Sequence, residues 1–320
     1  MGLSSSDAAA MGLRPIAHED AMFKGCFTAL ITPFKDGAVD EKAFQRFVQW
    51  QIEQGIHGVV PCGTTGESPT LTHPEHDRVI ELCIEVAKGK VPVIAGTGSN
   101  STEEAIRLTR HAEKAGATAS LQVMPYYNKP TQEGLYQHFK AIHDATDIPI
   151  LVYNIPGRSA VDMSVDTMAR LAKLPRIAGV KDATNDLARP VLTRLACGPE
   201  FCLLSGEDPT IGGFLGQGGH GIISVCSNIA PKLNVQMFEA FWQRDMATFG
   251  KIRDQLMPVS TALFAETSPG PVKYAASLLG LCSDEVRLPL VAPGEAAKAR
   301  MRAALANAGL APVQGQRAAE

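Results

Sequence analysis

From residue 27 to residue 242 the chain alternates between two kinds of stretch. A short, continuous apolar run is followed by a cluster of Gly, Pro, Thr or Asn, and then by apolar residues at helical spacing. The runs cover 27–31, 58–61, 92–95, 120–124, 150–153, 177–180, 201–204 and 221–225. Runs this short and this apolar predict strands buried on both faces. The stretches between them predict helices. Residues 40–54 carry Phe44, Phe47, Val48 and Ile52, 73–88 carry Val79, Leu82, Cys83 and Val86, and 102–115 carry Ala105, Ile106, Leu108 and Ala112. Further helical stretches lie at 132–145, 164–173, 186–196, 208–215 and 231–242. Several open on a capping pattern, such as Ser101 before Glu103 and Glu104, or Thr131 before Glu133. Eight strand–helix units in roughly 220 residues predict an α/β chain folded as a closed parallel (β/α)8 TIM barrel, in preference to an open doubly wound sheet. Beyond Trp242 the apolar runs stop, and 246–264, 271–279 and 294–308 predict three helices. The expected organisation is a disordered extension over 1–22 (or a start codon placed too early), a catalytic barrel over 23–244, a C-terminal helical domain over 245–311 and a fraying tail over 312–320.

Composition narrows the function by exclusion. A net charge of −3 on 320 residues gives no case for nucleic acid or an anionic membrane as partner. No apolar run approaches the ~18 residues of a membrane helix, and the N-terminus has no signal-peptide core. The seven cysteines form no C-x-x-C pair and mostly sit in apolar runs, which predicts reduced core thiols in a cytoplasmic protein.

The candidate chemistry gathers around 176–184. The run 177–180 is closed by Lys181, so the sequence places a lysine at the carboxyl end of a buried strand. Burying an ammonium is expensive, and such a lysine is either paired, with Asp182 as the nearest carboxylate, or partly neutral. A neutral amine attacks a ketone and forms a Schiff base. A parallel barrel carries its chemistry at the carboxyl ends of its strands. There the sequence puts Thr64 and Thr65 between two glycines, Tyr126 and Tyr127 ahead of Asn128, Tyr153 followed by Arg158, and Ser205-Gly206-Glu207-Asp208. A tyrosine hydroxyl can shuttle the protons of carbinolamine formation and dehydration, threonines can relay them, and an arginine can clamp a carboxylate with two parallel bonds. The implied substrates are a small keto acid and a second acidic partner. No His/Asp/Glu/Cys cluster has metal-ligand spacing. The stretch Gly216-Gln-Gly-Gly-His-Gly221 has G-x-G-x-x-G spacing but precedes a strand, which predicts a tight turn and no dinucleotide site.

Five motifs together carry a resemblance. Gly63-Thr-Thr-Gly-Glu-Ser68, Pro125-Tyr-Tyr-Asn128, Gln132-Glu-Gly-Leu-Tyr-Gln-His-Phe-Lys140, Tyr153-Asn-Ile-Pro-Gly-Arg158 and Gly179-Val-Lys-Asp-Ala-Thr184 resemble the dihydrodipicolinate synthase family, within the pyruvate-dependent class I aldolases that include N-acetylneuraminate lyase. The resemblance spans about 23–310. It implies a (β/α)8 barrel with a C-terminal helical domain, assembled as a homotetramer from two dimers. The implied activity is condensation of pyruvate with L-aspartate 4-semialdehyde in lysine (diaminopimelate) biosynthesis, through a covalent lysine adduct with no other cofactor and no metal. By the same resemblance Lys181 is the Schiff-base lysine and Tyr153 the general acid/base. Thr64 links that tyrosine to Tyr127, which reaches into a neighbouring subunit's site. Thr65 and Ile223 contact pyruvate, Gly206 lines the pocket, and Arg158 receives the aldehyde substrate. Ser68, His73, His76, Asn100, Glu104 and Tyr126 match an inhibitory L-lysine site that some members carry, although His73 and His76 could simply cap their helix. Two departures stand out: Glu207 where some members have aspartate, and Ser268-Pro-Gly-Pro271 before Lys273, expected to touch the helical domain only. The competing functions are another pyruvate aldolase or lyase acting on N-acetylneuraminate or a 2-keto-3-deoxy sugar acid, which has less use for Arg158, and a non-catalytic keto-acid sensor, which has no use for both Lys181 and Tyr153.

Overall fold

The structure, a computed structural model, describes residues 22–310; the expected extension, apart from Met22, and the expected tail lie outside them. Eight parallel strands form the barrel: β1 (Gly25–Ala29), β2 (Gly58–Val60), β3 (Ile94–Gly96), β4 (Ala119–Val123), β5 (Ile150–Asn154), β6 (Ile177–Asp182), β7 (Cys202–Ser205) and β8 (Gly221–Ser224). They pair in the order β2-β1-β8-β7-β6-β5-β4-β3, and a parallel bridge between Val59 and Val93 closes the ring. The hydrophobic pattern thus places every strand within two residues of its observed position.

The core has two layers. Phe44, Val79, Leu135 and Val180, with their neighbours, fill the space between strands and surrounding helices. A smaller cluster, including Phe27, Val60, Ile94, Leu151, Tyr153, Leu204 and Ile223, fills the barrel interior. Because successive strand residues point to opposite faces, this division fixes which side chains can reach the barrel axis. The first long helix, Glu41–Glu53, is capped by Asp40, and the predicted caps Ser101 and Thr131 accept from the amides of Glu104 and Gly134. The helix His73–Ala87 is capped by Thr72 in a reciprocal box with Glu75, so neither His73 nor His76 serves as its cap.

Three helices follow the last barrel helix: Met246–Ala262, Gly270–Leu278 and Glu295–Asn307. This C-terminal region does not stay apart from the barrel. Lys273 reaches Glu67 in the loop after β2 at 2.7 Å, with both side chains fully buried. The departure at 268–271 precedes this lysine, and its Gly270 has Val291 and Pro293 of the C-terminal region itself as neighbours. Four short pieces were not visible in the hydrophobic pattern: an antiparallel pair of Phe34–Lys35 with Ala38–Val39, and single turns at Ser68–Thr70, Pro156–Ser159 and Cys226–Asn228. Among the described residues no helix is long and apolar enough to cross a membrane, and the seven cysteines are unbonded.

Candidate active site

Lys181 does not end its strand; β6 continues through Asp182. In the ladder Lys181 stands level with Tyr153 of β5 and Leu204 of β7, both members of the interior cluster. Its side chain therefore points into the barrel, 6% exposed. Asp182 has the opposite parity and faces the helices, where it accepts from Thr184 at 2.6 Å and lies 3.5 Å from Arg189. The strand pleat thus removes the reading in which Lys181 pairs with Asp182.

Lys181 Nζ lies 4.1 Å from the centre of the Tyr153 ring. Burial pulls the Lys181 pKa from 10.5 down to about 8, the carboxylates of Glu207 and Asp208 pull against that shift, and Arg158 adds to it. A lysine in this position holds a substantial neutral fraction near neutral pH. Burial pushes Tyr153 well above its ordinary value, opposed by Arg158 and by a hydrogen bond with the Thr64 hydroxyl. The phenol stays protonated, with the Thr64 hydroxyl beside it. Thr65 is buried beside it in sequence, and Ile223 is fully buried in the interior cluster. Gly206 has a steric reason: a Cβ there would stand 3.1 Å from Lys181 Cε and 2.8 Å from Ala183 Cβ. Only a residue without a side chain lets the lysine pass.

Two carboxylates complete the electrostatics, and the sequence alone did not assign them. Asp208 is buried and accepts from Ser224 Oγ at 2.5 Å and from the amides of Val225 and Cys226 at 2.9 and 3.2 Å, tying the ends of β7 and β8 together. Desolvation raises the pKa of both Asp208 and Glu207, and Lys181 lowers it in each. The signal was the acidic pair directly after β7, at a strand end where a barrel keeps its chemistry.

Arg158 sits exposed on the single turn Pro156–Ser159 above the mouth. It lines a cleft of about 490 Å³ that also takes in Thr64, Ser68, His73, His76, Glu104 and Tyr126. Lys181 and Tyr153 lie outside the lining of this cleft. Five residues of the expected effector group thus share one space with Arg158, expected to bind substrate, and Thr64, expected to act in catalysis. His73 Nε2 meets Glu104 Oε1 at 2.8 Å, and Glu104 also accepts from Ser99. These two contacts hold the Glu104 carboxyl below its usual range. His76 is buried, its pKa pulled down to about 4 by desolvation. Asn100 donates to the Tyr126 carbonyl at 3.2 Å. Tyr127 is the residue the fold does not bring in. It is 89% exposed, at φ 72°.

The chain matches a profile described as the dihydrodipicolinate synthetase family over residues 22–308. It is 66% identical over 289 residues to the 4-hydroxy-tetrahydrodipicolinate synthase of Rhodospirillum centenum, covering 90% of this chain and 99% of that one. Among solved structures it is similar to the chloride-inhibited dihydrodipicolinate synthase of Acinetobacter baumannii complexed with pyruvate, with a TM-score of 0.88 and 44% identity over 90% of this chain and all of that one. It is similar also to the enzyme of Cyanidioschyzon merolae with lysine bound, with a TM-score of 0.88 and 38% identity over 91% and 99% of the two chains.

Proposed function

The chain belongs to the dihydrodipicolinate synthetase family, and from that premise we infer that Lys181 is the amine through which it works. The activity is that of a 4-hydroxy-tetrahydrodipicolinate synthase, a lyase-type class I aldolase that condenses pyruvate with L-aspartate 4-semialdehyde in lysine biosynthesis. In our reading neutral Lys181 Nζ attacks C2 of pyruvate, and the carbinolamine loses water to give an iminium. Loss of a C3 proton gives the enamine, whose carbon adds to the aldehyde. Tyr153 and Thr64 carry the protons, and Glu207 and Asp208 offset the charge of the iminium. The covalent adduct serves in place of a cofactor. The observation that carries this reading is the buried Lys181 ammonium position over the Tyr153 ring. Borohydride with pyruvate should add mass to the peptide holding Lys181; labelling elsewhere, or none, would remove the assignment.

Arg158 is the receptor for the aldehyde substrate, because it stands exposed over the mouth, away from the buried amine that takes pyruvate. Arg158→Ala forfeits a charge-assisted contact worth about 1.5–3 kcal/mol. It should raise KM for aspartate semialdehyde about 10- to 100-fold while pyruvate trapping persists. Equal damage to both substrates refutes the role.

An 89% exposed tyrosine has no work inside its own chain. Our reading is that Tyr127 completes the relay of a neighbouring subunit, in a cytoplasmic homotetramer built as a dimer of dimers. Mixing Tyr127→Phe subunits with Lys181→Ala subunits should then return activity to two inactive preparations. Mixed assemblies that form and stay inactive exclude a shared site.

The cleft shared by His73, Glu104 and Tyr126 is read as an L-lysine site. The Glu104 carboxylate faces a cationic ligand group, and Asn100 is placed to meet the ligand carboxylate. Support comes from the His73–Glu104 contact and from the cap at Thr72, which frees the histidines from that duty. Lysine titration should inhibit the wild type, and Glu104→Thr should weaken inhibition at least tenfold, the scale of an ordinary coupling energy of ~1–3 kcal/mol. Wild-type activity indifferent to millimolar lysine ends this assignment.

A further inference from the structure

The loop after β2 carries Thr64 and Thr65, and its shape depends on a residue in an unusual conformation. Glu67 has φ 56° and ψ 34°, the left-handed region. A non-glycine residue persists there only where its surroundings over-determine it. Within the loop, the Glu67 amide donates to the Thr64 carbonyl at 3.1 Å and the Thr32 hydroxyl donates to the Gly66 carbonyl at 2.7 Å. The Glu67 side chain is held from outside the barrel. Lys273 Nζ donates to Oε1 at 2.7 Å, and the Arg287 amide donates to Oε2 at 3.0 Å. Lys273 Nζ also lies 4.0 Å from the centre of the Phe34 ring, and the Arg287 guanidinium lies 4.3 Å from the same centre. Arg287 goes on to Glu75 at 2.5 Å and to the Thr70 carbonyl at 2.9 Å. Both oxygens of one carboxylate are thus filled by groups from the C-terminal region, more than 200 residues away in sequence.

The geometry points to the Lys273–Glu67 ion pair as a positioning device for the proton relay, through which the C-terminal helical region holds the Thr64–Thr65 loop against Tyr153. Stability alone is a poor account of the pair, because apolar side chains of similar volume commonly do as well or better. What two filled carboxylate oxygens supply is a single orientation of the loop. A small rotation of that loop would take the Thr64 hydroxyl away from Tyr153, and misplacement of about 1 Å is costly in rate. The inference rests on the relay read above for Tyr153 and Thr64, and assigns Lys273 and Glu67 to holding it.

A double-mutant cycle tests this in the full-length enzyme. Lys273→Met is expected to lower kcat about 10- to 100-fold, with KM for pyruvate changed less than about threefold. In a Tyr153→Phe background the same substitution should cost less than about twofold, since the relay it positions is already gone. A penalty that multiplies undiminished would overturn the inference and leave the Tyr153 reading standing. Wild-type kcat in Tyr153→Phe would instead remove the relay reading, and this inference with it. If the single variant fails to fold, Glu67→Gln/Lys273→Met has no unpaired buried charge and carries the same cycle. It is expected to regain the wild-type melting temperature without regaining kcat. Recovery of both would overturn the positioning role.

Discussion

Both kcat/KM for pyruvate and the rate of borohydride trapping should climb about tenfold per pH unit and level off near pH 8, and both should vanish in Lys181→Ala. Only the free amine attacks a carbonyl. An ordinary lysine, with a pKa near 10.4, is neutral in roughly one molecule in several thousand at pH 7. Burial brings Lys181 to about 8, where roughly one molecule in ten is neutral. The sign follows: protonation below about pH 8 removes the nucleophile, and above it nothing more is gained. Alanine at 181 deletes the covalent route, and a loss of about 10⁴-fold or more is expected, as for other essential nucleophiles. Glu207 and Asp208 both favour the ammonium form, so Glu207→Gln should move the acid limb to lower pH. Stopped-flow and quenched trapping between pH 6 and pH 10 measure both. A limb near 10.5, or a flat profile, would show that Lys181 is not the titrating nucleophile.

The hydrophobic pattern was legible where one physical rule acted locally. Eight doubly buried runs read as strands, and eight strand–helix units in roughly 220 residues favoured a closed barrel over an open sheet, so Lys181, Tyr153, Thr64 and Arg158 fell at strand ends without any tertiary information. The polarity of β6 was less legible. A lysine after four apolar residues reads as a strand end, yet Lys181 lies one residue inside, and that one residue decides whether it meets Tyr153 or Asp182. Long-range pairing was not legible at all. Nothing local to Glu67 announces Lys273, and the glycine beside it, Gly66, hides the fact that Glu67 itself takes the left-handed conformation. Tyr127 marks a different limit. Its sequence motif groups it with the active site, whereas its own chain leaves it in solvent, which is why we propose that it serves another subunit. The two histidines at 73 and 76 were ambiguous for a local reason, since a helix start accommodates a cap or a binding group equally well. The box formed by Thr72 and Glu75 removes the first.

Tyr153→Phe should lower kcat about 10²- to 10⁴-fold, the range of a general acid/base, with little change in KM for pyruvate or in melting temperature. The substitution keeps the ring, and with it the packing in the barrel interior and the face beneath Lys181 Nζ. It removes one oxygen. That oxygen belongs to a phenol whose pKa burial has pushed up, so it enters the reaction protonated. When carbinolamine oxygen departs as water it needs a proton, and in our proposal the phenol supplies it while the Thr64 hydroxyl passes one back. A discrete phenolate in a buried site would be expensive, and a paired hydroxyl avoids it. Thr64→Val should therefore cost less than Tyr153→Phe, because the donor survives and only its resupply is impaired. The acid limb near pH 8 should persist in Tyr153→Phe, since desolvation of Lys181 is unchanged. Trapping and turnover should slow together if the proton is needed to form the iminium. If trapping keeps its wild-type rate while turnover falls, Tyr153 acts on the later carbon–carbon step, and if both stay within about threefold of wild type the phenol has no part in the reaction.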